Sequence, residues 1–281
     1  MLSLLGRTIS GVDRRLLLLA PPETSLPPSL QRAFDDPIGH RQFVNDVQRL
    51  RGRVYLADGA LTPEQLLHDG RHSSAEDEHS WHLLTLGADG RPTGCVWYRN
   101  HQGALGLEHL RVRSCPLAHD EVWRDNLRQA VDADIAEARR HRLQYAEIGG
   151  WAVSEESRRT PDAIVLALAV FALGRLLGGA LGITTATVRH CSSTILRRLG
   201  GSSLQVNGAS IPVYHDPQYR CEMELLRFDS RRPDPRYAGA IELLLTQLPQ
   251  VTVLAAAASI NGLSVRCESY CPSGTDAVAA A

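Results

Sequence analysis

Apolar positions along this chain recur with two different periods, and each change of period marks an element. Phe43, Val47 and Leu50 are spaced as on one helix face and predict a first helix over residues 40 to 55. Leu61 to Leu67 predict a second, short helix, with Thr62 as N-cap and Pro63 in its first turn. Residues 68 to 79 are polar and predict a loop. Ser80 to Leu86 and Thr93 to Arg99 read as the arms of an antiparallel hairpin turning at Ala88-Asp89-Gly90. Leu105 to Val112 predict a short extended piece, and a helix is predicted over residues 119 to 141, with Val122, Leu127, Val131 and Ile135 as its apolar stripe. Tyr145 to Val153 read as a strand interrupted by Gly149-Gly150, a pair that signals a bulge or a close backbone approach by a ligand. Thr160-Pro161-Asp162 opens a helix that is apolar on nearly all faces and stops at Gly178-Gly179. A β-branched strand from Ile183 to Val188 follows, then a helix from Ser192 to Leu199 stopped by Gly200-Gly201. Closing strands fit residues 203 to 206 and 220 to 228, and a last helix fits Arg236 to Leu248.

Leading hairpin, helix, strand, helix, strand, helix, strand is the order of an α/β (α+β) fold: a mixed sheet with helices on both faces. The main domain is expected over residues 41 to 230. Prolines at 21, 22, 27, 28 and 37 predict an irregular N-terminal extension over residues 1 to 40. Residues 231 to 281 are expected to hold the last helix and, after about 256, a loosely held Ala- and Ser-rich tail.

Composition narrows the function. The 281 residues carry 30 basic and 31 acidic side chains, a net charge of -1, which gives no general attraction to nucleic acid. Every one of those bases is Arg, since the chain has no Lys. Either a GC-rich coding bias or a use for guanidinium forks on phosphate or carboxylate partners accounts for that. The longest apolar stretch, Ala163 to Gly174, is about a dozen residues against roughly 20 needed to span a bilayer. No transmembrane segment or secretory signal is predicted. Six scattered cysteines with no partner at zinc spacing predict free thiols in a reducing cytoplasm, and no metal.

Three segments carry a family likeness. Glu147-Ile-Gly-Gly-Trp-Ala-Val153 resembles the bulged central strand of the GNAT acyltransferases. Arg158-Arg159-Thr160-Pro161 stands where that family holds the donor's phosphates. Val188 to Gly201 looks like its second donor segment, a strand followed by a helix ending in Leu-Gly. The likeness covers roughly residues 45 to 228 and implies a GNAT-like, mostly antiparallel, twisted sheet. The loop Glu155-Glu156-Ser157-Arg158-Arg159-Thr160 lacks the glycines that wrap a pyrophosphate. Two arginines at a helix mouth suit a single phosphate instead. That points to acyl-phosphopantetheine on an acyl carrier protein, with acyl-CoA as the other donor. The front half is similar to the N-acyl amino acid synthases and, more distantly, to the acyl-homoserine lactone synthases. It carries Arg51-Gly-Arg-Val-Tyr55, Asp77 ahead of Ser80-Trp81-His82, and Gly94 to Arg99 closing the hairpin. The Arg that the lactone synthases carry three positions after their acidic strand residue is here Gly150.

The resemblance implies transfer of a medium or long acyl chain to the amine of an amino acid, with no permanently bound cofactor. A small-group acetyl-CoA enzyme and a non-catalytic acyl-thioester-binding module are the alternatives. Amide formation needs a deprotonated amine and a stabilised oxyanion, and no covalent nucleophile. Glu147 is the candidate base, or else it braces its strand through an Arg. Tyr219 is the candidate acid for the leaving thiol, or else it packs on the sheet. Trp151, Val153, Arg158, Arg159, Thr160 and His190 are the candidate donor contacts. For Arg158 and Arg159 the other assignment is surface pairing with Glu155 or Glu156. Arg53, Asp77 and Arg99 are the candidate acceptor contacts, with a structural ion pair or a turn cap as the other assignment for each.

Overall fold

The computed structural model describes residue 9 and residues 15–22, 24–101 and 105–256. Its centre is a sheet whose strand order is β10-β11-β6-β5-β4-β3-β1-β12-β2. In chain order these are β1 (Leu16–Ala20), β2 (Arg32–Asp35), β3 (Trp81–Leu86), β4 (Pro92–His101), β5 (Gln144–Val153), β6 (Ala180–Thr187), β10 (Tyr214–Asp216), β11 (Cys221–Asp229) and β12 (Thr252–Ala255). Three short pieces lie beside it: β7 (Ser202–Ser203) pairs with β11, and β8 (Gln205–Val206) pairs with β9 (Ala209–Ser210). Pairings are antiparallel except β1 with β12, β12 with β2, and β5 with β6.

Two corrections follow at the chain ends. Leu16–Ala20, inside the stretch expected to be irregular, is an interior strand with every residue buried. A continuous apolar run is what a strand covered on both faces requires. The prolines at 21, 22, 27 and 28 break the connection to β2, not the strands themselves. Thr252–Ala255 is likewise interior, between β1 and β2. The tail expected to be loose after about 256 lies outside the described residues.

The helices divide between the two faces. α1 (Pro37–Ala57) and α2 (Arg124–Arg140) cover one; α3 (Asp162–Leu176) and α5 (Ala238–Gln247) cover the other. The Asp36 carboxylate caps α1 by accepting from Gly39 N at 2.9 Å, and Pro37 fits the first turn. α3 is buried almost all round because it lies between the sheet and α5. It stops where Gly178 and Gly179 turn to φ +105° and +91°. α4 (Ser192–Leu199) ends at Gly200, φ +122°. α2 starts later than expected: Asp120 caps Val122 and Trp123, and Val122 is exposed while Leu127, Val131 and Ile135 are buried. The piece expected to be extended at 105–112 is a chain of 3-10 turns, Leu107–His109 and Arg111–Ser114. No helix among the described residues is long and apolar enough to cross a membrane.

One irregularity positions everything that follows. Across β4 and β5 the register runs Cys95↔Ala152 and then Trp97↔Gly149, so β5 holds one extra residue. Gly150 carries φ +64°, and a Cβ there would lie 2.4 Å from Trp97 Cδ1. A Cβ on Gly149 would lie 2.3 Å from the same indole. The glycine pair is therefore required by the conformation and by Trp97 together.

Gly150→Ala is expected to lower unfolding free energy by about 1–3 kcal/mol, read by denaturant titration. A chain ending at Gln250 loses β12 and exposes the inner edges of β1 and β2; it is expected to lose cooperative unfolding, read by circular dichroism and calorimetry.

Candidate active site

β5 and β6 pair in parallel from Gln144↔Ala180 to Ile148↔Thr184 and then part. Beyond that point β5 stays with β4 up to Val153, while β6 stays with β11 up to Thr187. A cavity of about 390 Å³ occupies the opening. One wall is apolar: Ala163, Ala167, Val170 and Phe171 of α3, Ile195 and Leu196 of α4, and Phe228. The wall on the α1 face is polar and aromatic: Arg51, Tyr55, His72, Arg111 and Tyr219. A second cavity of about 490 Å³ lies on the α2 face, lined by Glu147, Tyr214, Asp216 and His119 among others. Trp97, Arg111, Ile148, Thr184, Thr185 and Tyr219 line both.

Arg51 and Asp77 build the polar wall. Arg51 Nη2 donates to Asp77 Oδ2 at 2.6 Å and to the His72 carbonyl at 2.9 Å, with both side chains almost wholly buried. Asp77 Oδ2 also accepts from Gln48 Nε2 and Ser74 N, each at 3.0 Å. Burial works to raise the Asp77 carboxyl, and Arg51 outweighs it, holding it below the usual carboxylate range. His82 Nε2 donates to the Asp77 carbonyl at 2.8 Å. Burial drives His82 down to about 4; burial, then Arg51 and Arg111, drive His72 down to about 4. Burial pushes the Cys95 thiol up to about 12, so this residue under the bulge is no thiolate nucleophile.

The candidate residues separate by position. Trp151 and Val153 line the first cavity, and the Trp151 indole Nε1 is buried with no hydrogen-bond partner among the described residues. His190 lines its mouth, exposed and at φ +63°. Arg158 lines it too; its ion partner is Asp58 at the end of α1, at 2.8 Å, rather than Glu155 or Glu156. The Arg159 side chain lies outside the described residues. Thr160 lines neither cavity: its Oγ1 donates to Ser157 O at 2.8 Å and accepts from Asp162 N at 3.2 Å, which makes it a turn residue at the start of α3. Tyr219 lines both cavities, and its Oη accepts from Arg111 Nη2 at 2.6 Å. Glu147, only 3% exposed, lines the second cavity. Its Oε2 lies 2.9 Å from His101 Nε2, and its Oε1 accepts from Val112 N at 3.3 Å.

None of the three acceptor candidates lines either cavity. Arg53 is exposed on the outer side of α1 and lines neither cavity. Two residues on a helix lie about 200° apart, so Arg51 takes the inner face with Val47 and Val54. Arg99 stands opposite Glu147 in register, yet Glu147 bonds to His101 and Val112, and Arg99 also lines neither cavity. Asp77 bonds to Arg51 and, as a turn cap, to the Ser74 N–H, and both of those residues line the first cavity. Spacing along α1 could have picked out Arg51. Nothing local in the sequence marks Arg111, His72 or His101.

This architecture is GNAT-like. The acyl-homoserine lactone synthase BjaI, described as CoA-dependent and solved with SAM and isopentyl-CoA, superposes with TM-score 0.50 at 12% identity, over 88% of this chain and 95% of BjaI. FeeM, an N-acyl amino acid synthase from uncultured soil microbes, gives TM-score 0.45 at 14% identity over 69% and 87%. Arylalkylamine N-acetyltransferase 2 from Aedes aegypti gives 0.44 at 18% over 66% and 94%. No family model matches the sequence, and no curated protein matches it.

Asp77→Asn leaves Arg51 buried beside a neutral group and is expected to cost about 3–5 kcal/mol, read by chemical denaturation. His72 and His82 are neutral when folded, while their unfolded forms take up protons near pH 6.5. Their stabilising contribution is full above pH 6.5 and is lost as pH falls toward 4, on the order of 3 kcal/mol per group. The melting temperature is expected to fall steeply over that window; a flat profile there would contradict the neutral assignment.

Proposed function

We propose that this protein is an N-acyltransferase that moves a medium or long acyl chain from a phosphopantetheine thioester to the amine of an amino acid. The parting of β5 and β6 carries the reading. Each strand keeps its outer partner and turns an inner edge of backbone N–H and C=O groups to the gap, and those groups need partners. A phosphopantetheine arm, with its two amides and its slender cross-section, satisfies both edges. The apolar wall of α3, α4 and Phe228 suits an acyl chain more than an acetyl group.

The donor contacts are Trp151 and Val153 along the gap and Arg158 and His190 at its mouth. An arginine-bearing loop without glycine suits one phosphate, which favours an acyl carrier protein over CoA as the donor. In the reaction the acceptor ammonium gives one proton to Glu147. The amine then attacks the thioester carbonyl, a C–N bond forms, and the C–S bond breaks. The second amine proton balances the departing thiolate, to which Tyr219 donates its own O–H while its oxygen accepts from Arg111. That second amine proton restores Tyr219 through water, and Glu147 gives its own proton up to solvent, so one ammonium and one thioester yield one amide, one thiol and one released proton.

Expression in a bacterial host, followed by mass spectrometry of the lipid extract, is expected to show new N-acyl amino acids. Glu147→Gln is expected to lower kcat about 10²–10⁴-fold with the thioester KM unchanged. Acylated amines formed from acetyl-CoA alone would replace this reading with a small-group acetyltransferase. Thioester binding with no turnover from any donor would make the chain a binding module.

A further inference from the structure

We propose that the second cavity is the acceptor chamber, built for a free amino acid in its zwitterionic form, with Arg111 clasping the carboxylate. The chemistry performed there rests on the acyl-transfer reading; the binding does not. The chamber of about 490 Å³ lies on the α2 face, away from the apolar wall, and meets the first cavity where β5 and β6 begin to part, at Ile148 and Thr184. A molecule seated in it reaches the thioester from the side opposite the acyl chain, so donor and acceptor never compete for one entrance.

Three observations define the ligand. Tyr214 lines the chamber, is 6% exposed, and its Oη has no hydrogen-bond partner among the described residues. A buried phenol left unpaired is costly, and a ligand that bonds to it removes the cost. Arg111 stands at the junction of the cavities. Its Nη2 holds Tyr219 and its Nε lies 3.7 Å from Glu76, while the described residues give Nη1 no hydrogen bond. A guanidinium fork with one arm open donates to a carboxylate oxygen lying in its plane. Finally, the peptide N–H of Val112, next in sequence to Arg111, donates to Glu147 Oε1 at 3.3 Å. The cation and the acid are thus joined through one peptide, which sets a carboxylate site and an ammonium site side by side, as the two ends of an α-amino acid require. Glu147, Asp120 and Asp216 outnumber the Arg111 cation around the chamber. That balance repels a phosphate and admits a zwitterion.

The test is binding of individual proteinogenic L-amino acids, and of the matched amines lacking the carboxylate, by titration calorimetry and ligand-detected NMR on the full chain. At least one amino acid is expected to bind wild-type protein, with its decarboxylated counterpart about 30-fold or more weaker, the scale of one charge-assisted contact. Arg111→Ala is expected to bring the amino acid down to the level of the amine, and Arg111→Lys to recover only part. Tyr214→Phe, which removes an unpaired hydroxyl and leaves packing intact, is expected to weaken the amino acid several-fold with no fall in the Tm of the unliganded protein. In turnover the same variants raise the acceptor KM and spare the thioester KM. The proposal is overturned if no amino acid binds the wild type, or if Arg111→Ala keeps the preference for the carboxylate. Amino-acid binding without acyl transfer would uphold the chamber and sink the reaction; acyl transfer with an unaltered Arg111→Ala preference would do the reverse.

Discussion

A parallel strand pair can part only if each strand is held more firmly from outside than its fellow holds it from inside. Here β5 is held by β4 through Val153, and β6 by β11 through Thr187, so both continue in register after their own pairing ends at Ile148 and Thr184. The extra residue in β5 sets the direction of the divergence. Its Gly149-Gly150 pair leaves room for the Trp97 indole, and Trp97 fills the space under the bulge so that the strand does not settle back. The groove is thus a property of strand pairing, and the side chains around it inherit their positions from it.

The two walls of that groove are chemically unlike because they come from opposite faces of one sheet. α3 contributes a surface without a charge because it is sandwiched against α5 and must be apolar on both sides. α1 contributes Arg51 because a buried guanidinium needs a carboxylate or carbonyl beside it, and Asp77 with the His72 carbonyl pairs its Nη2. The polar wall therefore costs stability that the leucine-rich interior of β1 and β3 offsets. On the proposed reading, a proton-transferring group and an acyl chain meet at one opening with neither solvating the other.

The sequence made some of this legible and hid the rest. Periodicity identified α1, the β3–β4 hairpin, α2, β5, α3, β6, α4 and β11 because their apolar faces repeat at the spacing of their own backbone. The Gly149-Gly150 interruption announced the bulge. β1 and β12 were hidden because a short interior strand is buried at every position, so it shows no alternation to detect. Side chains that bear on the site followed the same rule. Glu147 and Trp151 sit on a recognisable strand and were legible. Arg53 and Arg51 differ only in which side of α1 they occupy. Arg111 comes from a run of 3-10 turns with no period at all, and tertiary folding alone brings it to Tyr219. Thr160 looked like a phosphate contact because its neighbours do, while its hydroxyl is engaged by the turn it caps.

The all-arginine chemistry of the chain takes a different meaning beside such a groove. Thioesters acylate primary amines, and a Lys near the opening would be an acceptor in itself. A guanidinium keeps its proton at any physiological pH and is a poor nucleophile, yet it still clasps carboxylates and phosphates. With 30 basic residues and no Lys among them, no side chain of this protein offers an amine to a bound acyl donor. Coding bias explains the composition as well as selection does. The physical consequence is the same in either case: around an acyl thioester, the amine that reacts has to arrive as substrate.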